Sequence, residues 1–425
     1  MTDTIFALSS GAPPAAIGVI RVSGPRARDA MLALAGRVPA PRRAALARLR
    51  DRQGALIDEA LVLWLPGPGT ETGEDTIELQ CHGGRAVIAA VETALAALPG
   101  LRRAKPGEFT RRAFINGKID LAEAEGLADL LEAETELQRL SAMAMAGGAF
   151  SREVEGWRVE LLNLSAAVEA VLDFADEDDV ATLPGDFALK IAKLATALKV
   201  WLDRPRAELL KEGFRVVIAG PPNAGKSTLF NCLVEAEAAI ATPIAGTTRD
   251  VLTRPVAIAG VPFLFADTAG LHDAVDDVVE AIGIERALDA LDRADLVLWL
   301  GPEGTGPAGA WEIEAQTDRS GHISKVSPRH RLSARTGDGI EELRADLVDA
   351  ATSALPRPGE AALNERQHDL LTDARLALVQ ASEQNDPLLT AESLRVARVA
   401  FDTLLGRTAT EDLLDTLFGR FCIGK

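Results

Sequence analysis

Cysteine is scarce in this chain: three among 425 residues, at 81, 232 and 422. That excludes a disulfide scaffold and fits a reduced, cytosolic protein. No apolar run approaches the length of a membrane span, and no basic-then-apolar leader opens the sequence, so neither a membrane protein nor a secreted one is expected. Positive charge is in deficit, with 45 Lys and Arg against 63 Asp and Glu, a net charge of −18. Tight unaided binding of nucleic acid depends on neutralising phosphates and is disfavoured by that balance. Arg42, Arg43, Arg48, Arg50 and Arg52 run against the trend; a solvated helix face is expected there, with a basic binding face as the alternative. Proline is missing from 107 to 183, a stretch rich in Ala, Leu and Glu at helical spacing, which predicts long helices. The acidic run Asp176-Glu177-Asp178-Asp179 lacks the spacing and glycine of a calcium loop and reads as a solvated turn between helices.

What is present is an ordinary globular balance, 47% hydrophobic and 25% charged, over a length that predicts two to four domains. Residues 1–117 read as mixed α and β, with strands over 17–22, 60–65 and 75–80 and helices over 27–35 and 85–98. Glu78, between Ile77 and Leu79, either faces solvent or awaits a polar ligand. Residues 118–212 and 357–425 read as helical, the second stretch broken near Asn385-Asp386-Pro387. Between them, 213–356 reads as an α/β nucleotide domain inserted into a helical domain, which a surface turn accommodates easily.

That central domain carries Gly220-Pro221-Pro222-Asn223-Ala224-Gly225-Lys226-Ser227, the pattern G-x-x-x-x-G-K-S, after an apolar strand and before a helix. The glycines let backbone N–H groups turn toward phosphates, Lys226 adds a point charge and Ser227 offers a hydroxyl to Mg²⁺. Downstream stand Ile244-Ala245-Gly246-Thr247-Thr248-Arg249-Asp250 and, after an apolar strand, Asp267-Thr268-Ala269-Gly270. Asp267 reaches the metal shell, the Gly270 N–H the γ-phosphate, and Thr248 completes the Mg²⁺ shell, which indicates a switch GTPase rather than a generic ATPase. Leu271 stands where many such enzymes place a water-orienting Gln, so another residue must orient the water. Nearby carboxylates are the candidates; Glu280, on a helical stretch, reads from the pattern alone as solvated. Base recognition by N-K-x-D is reduced to Ala315-Gln316-Thr317-Asp318, which keeps only the Asp, and the stretch from Leu300 to Asp318 is too short for the usual helix. Ser333-Ala334-Arg335 reads as the loop whose backbone meets the guanine O6. GTP is expected to be preferred but weakly bound.

These motifs, with Gly107-Glu108-Phe109-Thr110-Arg111-Arg112-Ala113-Phe114, Ile282-Gly283-Ile284-Glu285-Arg286 and the terminal Phe421-Cys422-Ile423-Gly424-Lys425, resemble the bacterial tRNA-modification GTPases of the MnmE (TrmE) family over essentially the whole chain. The resemblance implies a multidomain α/β protein: an N-terminal α+β tetrahydrofolate-binding-like domain (1–117), a helical domain in two parts (118–212 and 357–425) and an inserted P-loop, Ras-like GTPase domain (213–356). It implies a cytoplasmic homodimer acting on tRNA with the flavoprotein MnmG (GidA), building a carboxymethylaminomethyl-type group at C5 of the wobble uridine U34, with K⁺-dependent dimerisation of the GTPase domains. GTP, Mg²⁺, K⁺ and 5-formyl- or 5,10-methylene-tetrahydrofolate are the implied cofactors. Carried over by position, Glu280 is the catalytic residue, which reverses its plain reading. Ser227 and Thr248 are Mg²⁺ ligands, and Asn223, Thr242, Ile244 and Thr247 are K⁺ ligands. Ala224, Gly225, Lys226, Thr228, Asp267, Thr268, Ala269, Gly270, Asp318, Ser333, Ala334 and Arg335 complete the GTP site. Arg21, Glu78, Lys118 and Lys425 match the folate positions. Cys422 matches a Cys with a suspected role in modification and reads equally as an inert thiol. A GTPase switch for ribosome assembly and a slow, scaffold-like GTPase are the competing readings.

Overall fold

A computed structural model of the chain describes residues 3–173, 183–235, 252–267 and 291–424. The acidic run 176–179 lies outside them. The chain forms two compact units, residues 1–128 with 401–425, and residues 129–400.

The first unit is built on a six-stranded sheet. Its strands are β1 (Thr4–Leu8), β2 (Ile17–Ser23), β3 (Ala45–Arg50), β4 (Leu56–Leu65), β5 (Thr76–His82) and β6 (Leu101–Arg103), in the order β3-β4-β5-β2-β1-β6. Only the β1–β6 pair is parallel. Alternation puts Ile20, Val22, Ile77 and Leu79 into a core closed by α1 (Ala27–Ala35) and α2 (Arg85–Ala96), which contribute Met31 and Val91. Next come α3 (Glu108–Ile115) and α4 (Leu121–Glu132). The C-terminal segment returns to this unit: Phe418 and Phe421 share a cluster with Leu121 and Ala124. Gly107, at φ 65°, lies so close to this segment that a Cβ would meet the Phe418 carbonyl oxygen at 2.1 Å, so no larger residue fits there.

The arginine-rich segment does not form the expected helix. Residues 45–50 are the edge strand β3, with Ala47 and Leu49 buried and Arg48 and Arg50 exposed. Its period of two suits a pleated strand, and the partner β4 supplies the apolar face that overrides the helix propensity of Ala, Leu and Arg. Several of the charges are engaged locally. Arg48 stands 3.5 Å from Glu59, Arg50 donates to the Gly54 carbonyl and Arg42 to that of Gly69. Charged side chains on an edge also discourage pairing with another sheet.

The second unit begins with the helices α5 (Glu136–Ala146), α6 (Ala149–Asp173), α7 (Phe187–Leu202) and α8 (Ala207–Glu212). A second six-stranded sheet follows, in the order β12-β11-β10-β7-β9-β8, from β7 (Phe214–Ala219), β8 (Leu252–Ile258), β9 (Val261–Asp267), β10 (Leu296–Trp299), β11 (Trp311–Glu314) and β12 (His330–Arg331). All pairs are parallel except β8 with β9. Helix α9 (Lys226–Glu235) follows β7, and α10 (Ile340–Ala354) follows β12. The chain then returns to helices, α11 (Glu365–Glu383), α12 (Pro387–Leu404) and, in the first unit, α13 (Glu411–Gly419). As expected from its length, the connection between β10 and β11 holds no helix. Among the described residues no helix is long and apolar enough to cross a membrane.

Candidate nucleotide site

Val216 and Ile218 are fully buried in β7, and the G-x-x-x-x-G-K-S loop leaves the carboxyl end of that central strand. This is where open parallel sheets bind ligands. Asn223 adopts a left-handed conformation at φ 63°. Gly225, at φ 95°, faces the side chain of Gln316, whose Nε2 a Cβ would meet at 2.9 Å. The loop's tight turn therefore needs both backbone conformations. Lys226 opens α9 buried, its Nζ donating to the carbonyls of Gly220 at 2.9 Å and Pro221 at 3.0 Å. Burial pushes its pKa below the usual lysine value, and the charge of Asp267 opposes that shift. Asp267 ends β9, 2% exposed and in register with Ile218 on β7. Ser227 and Thr228 are exposed on the first turn of α9, where backbone N–H groups and the helix dipole favour an anion.

Beside this cradle lies a cavity of about 300 Å³, formed where Gly225, Thr228 and Leu229 meet Ala315, Gln316, Asp318 and Arg319 and, from a third stretch, Leu332, Ala334 and Arg335. Three separate stretches of sequence converge on it. Asp318 Oδ1 accepts the Ser333 hydroxyl at 2.7 Å, and that hydrogen bond, with Arg335 and Arg319 nearby, holds the Asp318 carboxyl below the usual carboxylate range. Ser333 is itself fixed by a turn, its N–H donating to Asp338 O at 3.0 Å and its carbonyl accepting from Gly337 N at 2.9 Å. Gln316 occupies the Lys position of the base motif. Its Nε2 donates to Asn223 O at 3.2 Å, so it ties the base loop to the phosphate loop. The sequence alone marks Gln316 only as a missing Lys; the signal appears when the two loops are side by side.

The structure thus brings Asn223, Ala224, Gly225, Lys226, Ser227, Thr228, Asp267, Asp318, Ser333, Ala334 and Arg335 to one end of one sheet. Thr242, Ile244, Thr247, Thr248, Thr268, Ala269, Gly270, Glu280 and Lys425 lie outside the described residues. In the first unit Arg21 and Glu78 face each other across β2 and β5. Arg21 donates to Glu78 Oε1 from Nε at 3.1 Å and from Nη2 at 2.8 Å, and also pairs with Glu71. Glu78 is therefore neither simply solvated nor unbonded. Lys118 is exposed beside the loop that carries Glu71: a Cβ at Gly73 would meet its Cε at 3.0 Å. Cys422 is exposed, whereas burial pushes the Cys81 thiol up to about 12 and makes it inert.

Two family models divide the chain. Residues 4–118 match the N-terminus of the GTP-binding protein TrmE, and residues 121–422 match the MnmE helical domain. The chain belongs to the MnmE family. It is 64% identical over 423 residues to the tRNA modification GTPase MnmE of Erythrobacter litoralis, covering 100% of both chains. The MnmE of Novosphingobium aromaticivorans is 63% identical over 437 residues, again 100% of both, and that of Rhizorhabdus wittichii 58% over 429 residues, 100% of this chain and 97% of the relative. Among solved structures, the G domain of the T. maritima FeoB iron transporter covers 32% of this chain and 98% of its own at 23% identity, with a TM-score of 0.23. As an MnmE-family member the chain is a tRNA modification GTPase, and its nucleotide is GTP.

Proposed function

We propose that this chain is the GTP-hydrolysing component of the system that builds the carboxymethylaminomethyl group at C5 of U34 in tRNA, working in the cytoplasm as a homodimer with the flavoprotein MnmG. The observation that carries the nucleotide half is the cavity joining the P-loop to Asp318 and to Ala334 and Arg335. Full-length similarity to tRNA modification GTPases supports the tRNA half. In this reading Asp318 accepts hydrogen bonds from the guanine N1 and N2 groups, and backbone at Ser333–Arg335 meets O6. Lys226 and the α9 N-terminus bind the phosphates.

The residues present fit the implied ions. The exposed Ser227 hydroxyl stands on the first turn of α9 and the buried Asp267 carboxylate at the end of β9, groups that would serve a Mg²⁺ site with Thr248. Asn223, on the exposed crest of the loop, would hold K⁺ with Thr242, Ile244 and Thr247. When bound, these ions would supply positive charge to the nucleotide's phosphates, and the K⁺ site would be completed as two GTPase domains dimerise. Leu271 cannot hydrogen-bond a water, so Glu280 is assigned to orient the nucleophile. The Arg21–Glu78 couple, with Lys118 and Lys425, is the proposed folate site; its paired charges suit the donors and acceptors of a pterin better than a bare anion. Cys422, exposed, is open to a part in the modification.

The test is nucleoside analysis of wobble uridines in cells lacking this chain, complemented with the wild type or with Glu280→Ala. The modified uridine should vanish without the chain and return with the wild type. The Glu280→Ala protein should bind GTP normally but hydrolyse it about 10²- to 10⁴-fold more slowly. Unchanged wobble uridines in the deletion strain would reject the pathway assignment, and unchanged turnover would reject Glu280.

A further inference from the structure

Glu314 ends β11 and is 6% exposed. Its carboxylate gathers the chain that follows. Oε1 lies 2.9 Å from Nε2 of His322, and Oε2 accepts from Arg331 Nε at 3.0 Å and from Lys325 N at 3.4 Å. The other ring nitrogen of His322, Nδ1, lies 2.9 Å from the carbonyl oxygen of Arg319. A carbonyl oxygen and an ionised carboxylate can only accept, so both ring nitrogens must donate. Only the imidazolium satisfies both contacts. The ring therefore bridges the end of β11 to the residue that follows Asp318. Between these anchors the chain makes a tight turn, with Arg319 N donating to Gln316 O at 2.9 Å.

The N-K-x-D loops of GTPases rely on their Asn to hold the loop that presents the Asp. Ala315 has no polar group for that task and is 8% exposed. We propose that His322, clamped between Glu314 and Arg319, is a positioning residue for guanine selection, holding Asp318 against the base in place of the missing Asn. The inference rests on the reading of Asp318 as the guanine acceptor.

A consequence is that base selection depends on pH. The charged groups acting on the ring are Glu314 from β11 and Asp318 from the loop, while Arg331 from β12 and the Lys325 N–H share the Glu314 carboxylate. Lys325 is paired with Glu312 and Arg331 with Glu314. The hydrogen bond to Glu314, then that to the Arg319 carbonyl, raises the pKa of His322 above its ordinary 6.5. The clamp is complete below that ordinary value and is lost as pH rises through the elevated one.

The experiment measures binding of GDP, and of IDP, which lacks the exocyclic amino group, to the full-length chain from about pH 6 to about pH 9. The wild type should prefer GDP at the acid end and lose about tenfold of that preference as pH rises. His322→Gln should have the smaller preference at every pH, and Glu314→Gln should move the fall to lower pH. A wild-type preference that is flat across the range, or a His322→Gln preference equal to the wild type at the acid end, overturns the clamp. Asp318→Asn distinguishes failure of the clamp from failure of Asp318 as the guanine acceptor. If it abolishes the GDP preference while His322→Gln leaves it intact, the clamp alone is wrong. If Asp318→Asn changes nothing, the reading of Asp318 fails first.

Discussion

Arg112 is the largest fully buried side chain among the described residues of the N-terminal unit. It is fully buried, with Nη2 donating to Asp3 Oδ1 at 2.9 Å and to Glu108 Oε1 at 3.2 Å, and Nη1 donating to Glu74 Oε2 at 3.1 Å. A buried guanidinium is tolerated only when several acceptors surround it, and the converse holds for the three carboxylates. Arg102 joins the same group through Asp3 and Glu108. Burial pushes the Glu108 carboxyl up, but hydrogen bonds from Arg102, the Lys105 N–H and Arg112 outweigh it and leave the pKa below 4.5. A depressed carboxylate pKa means stability that is present above the unfolded value and lost as pH falls through the folded one. Arg112→Ala should destabilise this unit by about 3–5 kcal/mol, because it strips Glu74 of its cation and leaves Asp3 and Glu108 to share Arg102 alone. Hydrogen exchange of β1 and α3 checks this, and unchanged protection there would show that Arg102 alone satisfies the carboxylates. The motif containing Arg112 is legible in the sequence as a family signature, yet its physical role is not, since Asp3 and Glu74 lie far away along the chain.

At the scale of elements, what could be read in advance divides by the range of the interaction responsible. Local signals served well: α1 and β7 have the limits that periodicity and apolar runs predict, and the break before Pro387 falls between α11 and α12. The arginine segment carries a strand's alternation over residues 46–50, but the helix propensity of Ala, Leu and Arg competes with it, and pairing with β4 decides between the two. The role of Gln316 is hidden from the sequence because its partner Asn223 lies 93 residues away, and that of His322 because it depends on how the loop after β11 folds back on Glu314. The short β10–β11 connection was anticipated from its length, but not what fills the place of the helix. There the ring of Trp299 lies across the loop, its Nε1 donating to Pro302 O at 2.9 Å. Gly301 and Gly306 both abut that ring; a Cβ at Gly306 would sit 2.6 Å from Trp299 Cγ. An indole anchored in this way has little room to retreat, so Gly306→Ala should cost about 1–3 kcal/mol through overpacking. The urea midpoint of the second unit reads the effect, and an unshifted midpoint would mean the connection yields without loss.

For the molecule as a whole, the insertion of a nucleotide domain into a helical one turns out to be closely knit within the second unit. Leu137 of α5, Ala207 and Leu210 of α8, and Ala362 share one buried cluster with Val216, Phe263 and Phe265 of the nucleotide sheet. The start of α5 is fixed by a capping box between Thr135 and Gln138, and the N–H of Leu137 donates to Gly260 O at 3.2 Å. Gly260 is the second residue of the two-residue turn joining β8 to β9, where Ala259 and Gly260 are both left-handed. In the sequence, the open ends of that hairpin run directly into the stretch bearing Thr248 and into Asp267-Thr268-Ala269-Gly270. A helix outside the nucleotide domain thus holds the closed end of the hairpin whose other end carries the switch motifs. Leu137 is 5% exposed, so Leu137→Ala removes buried volume at this joint and should cost about 2–5 kcal/mol. The loss should not stay in α5. Hydrogen exchange should quicken along β8 and β9, and GTP hydrolysis should fall with it, although no nucleotide-binding residue has been touched. Quickened exchange confined to α5 would show instead that the hairpin holds its shape unaided, and that the helices carry the nucleotide domain without sensing it.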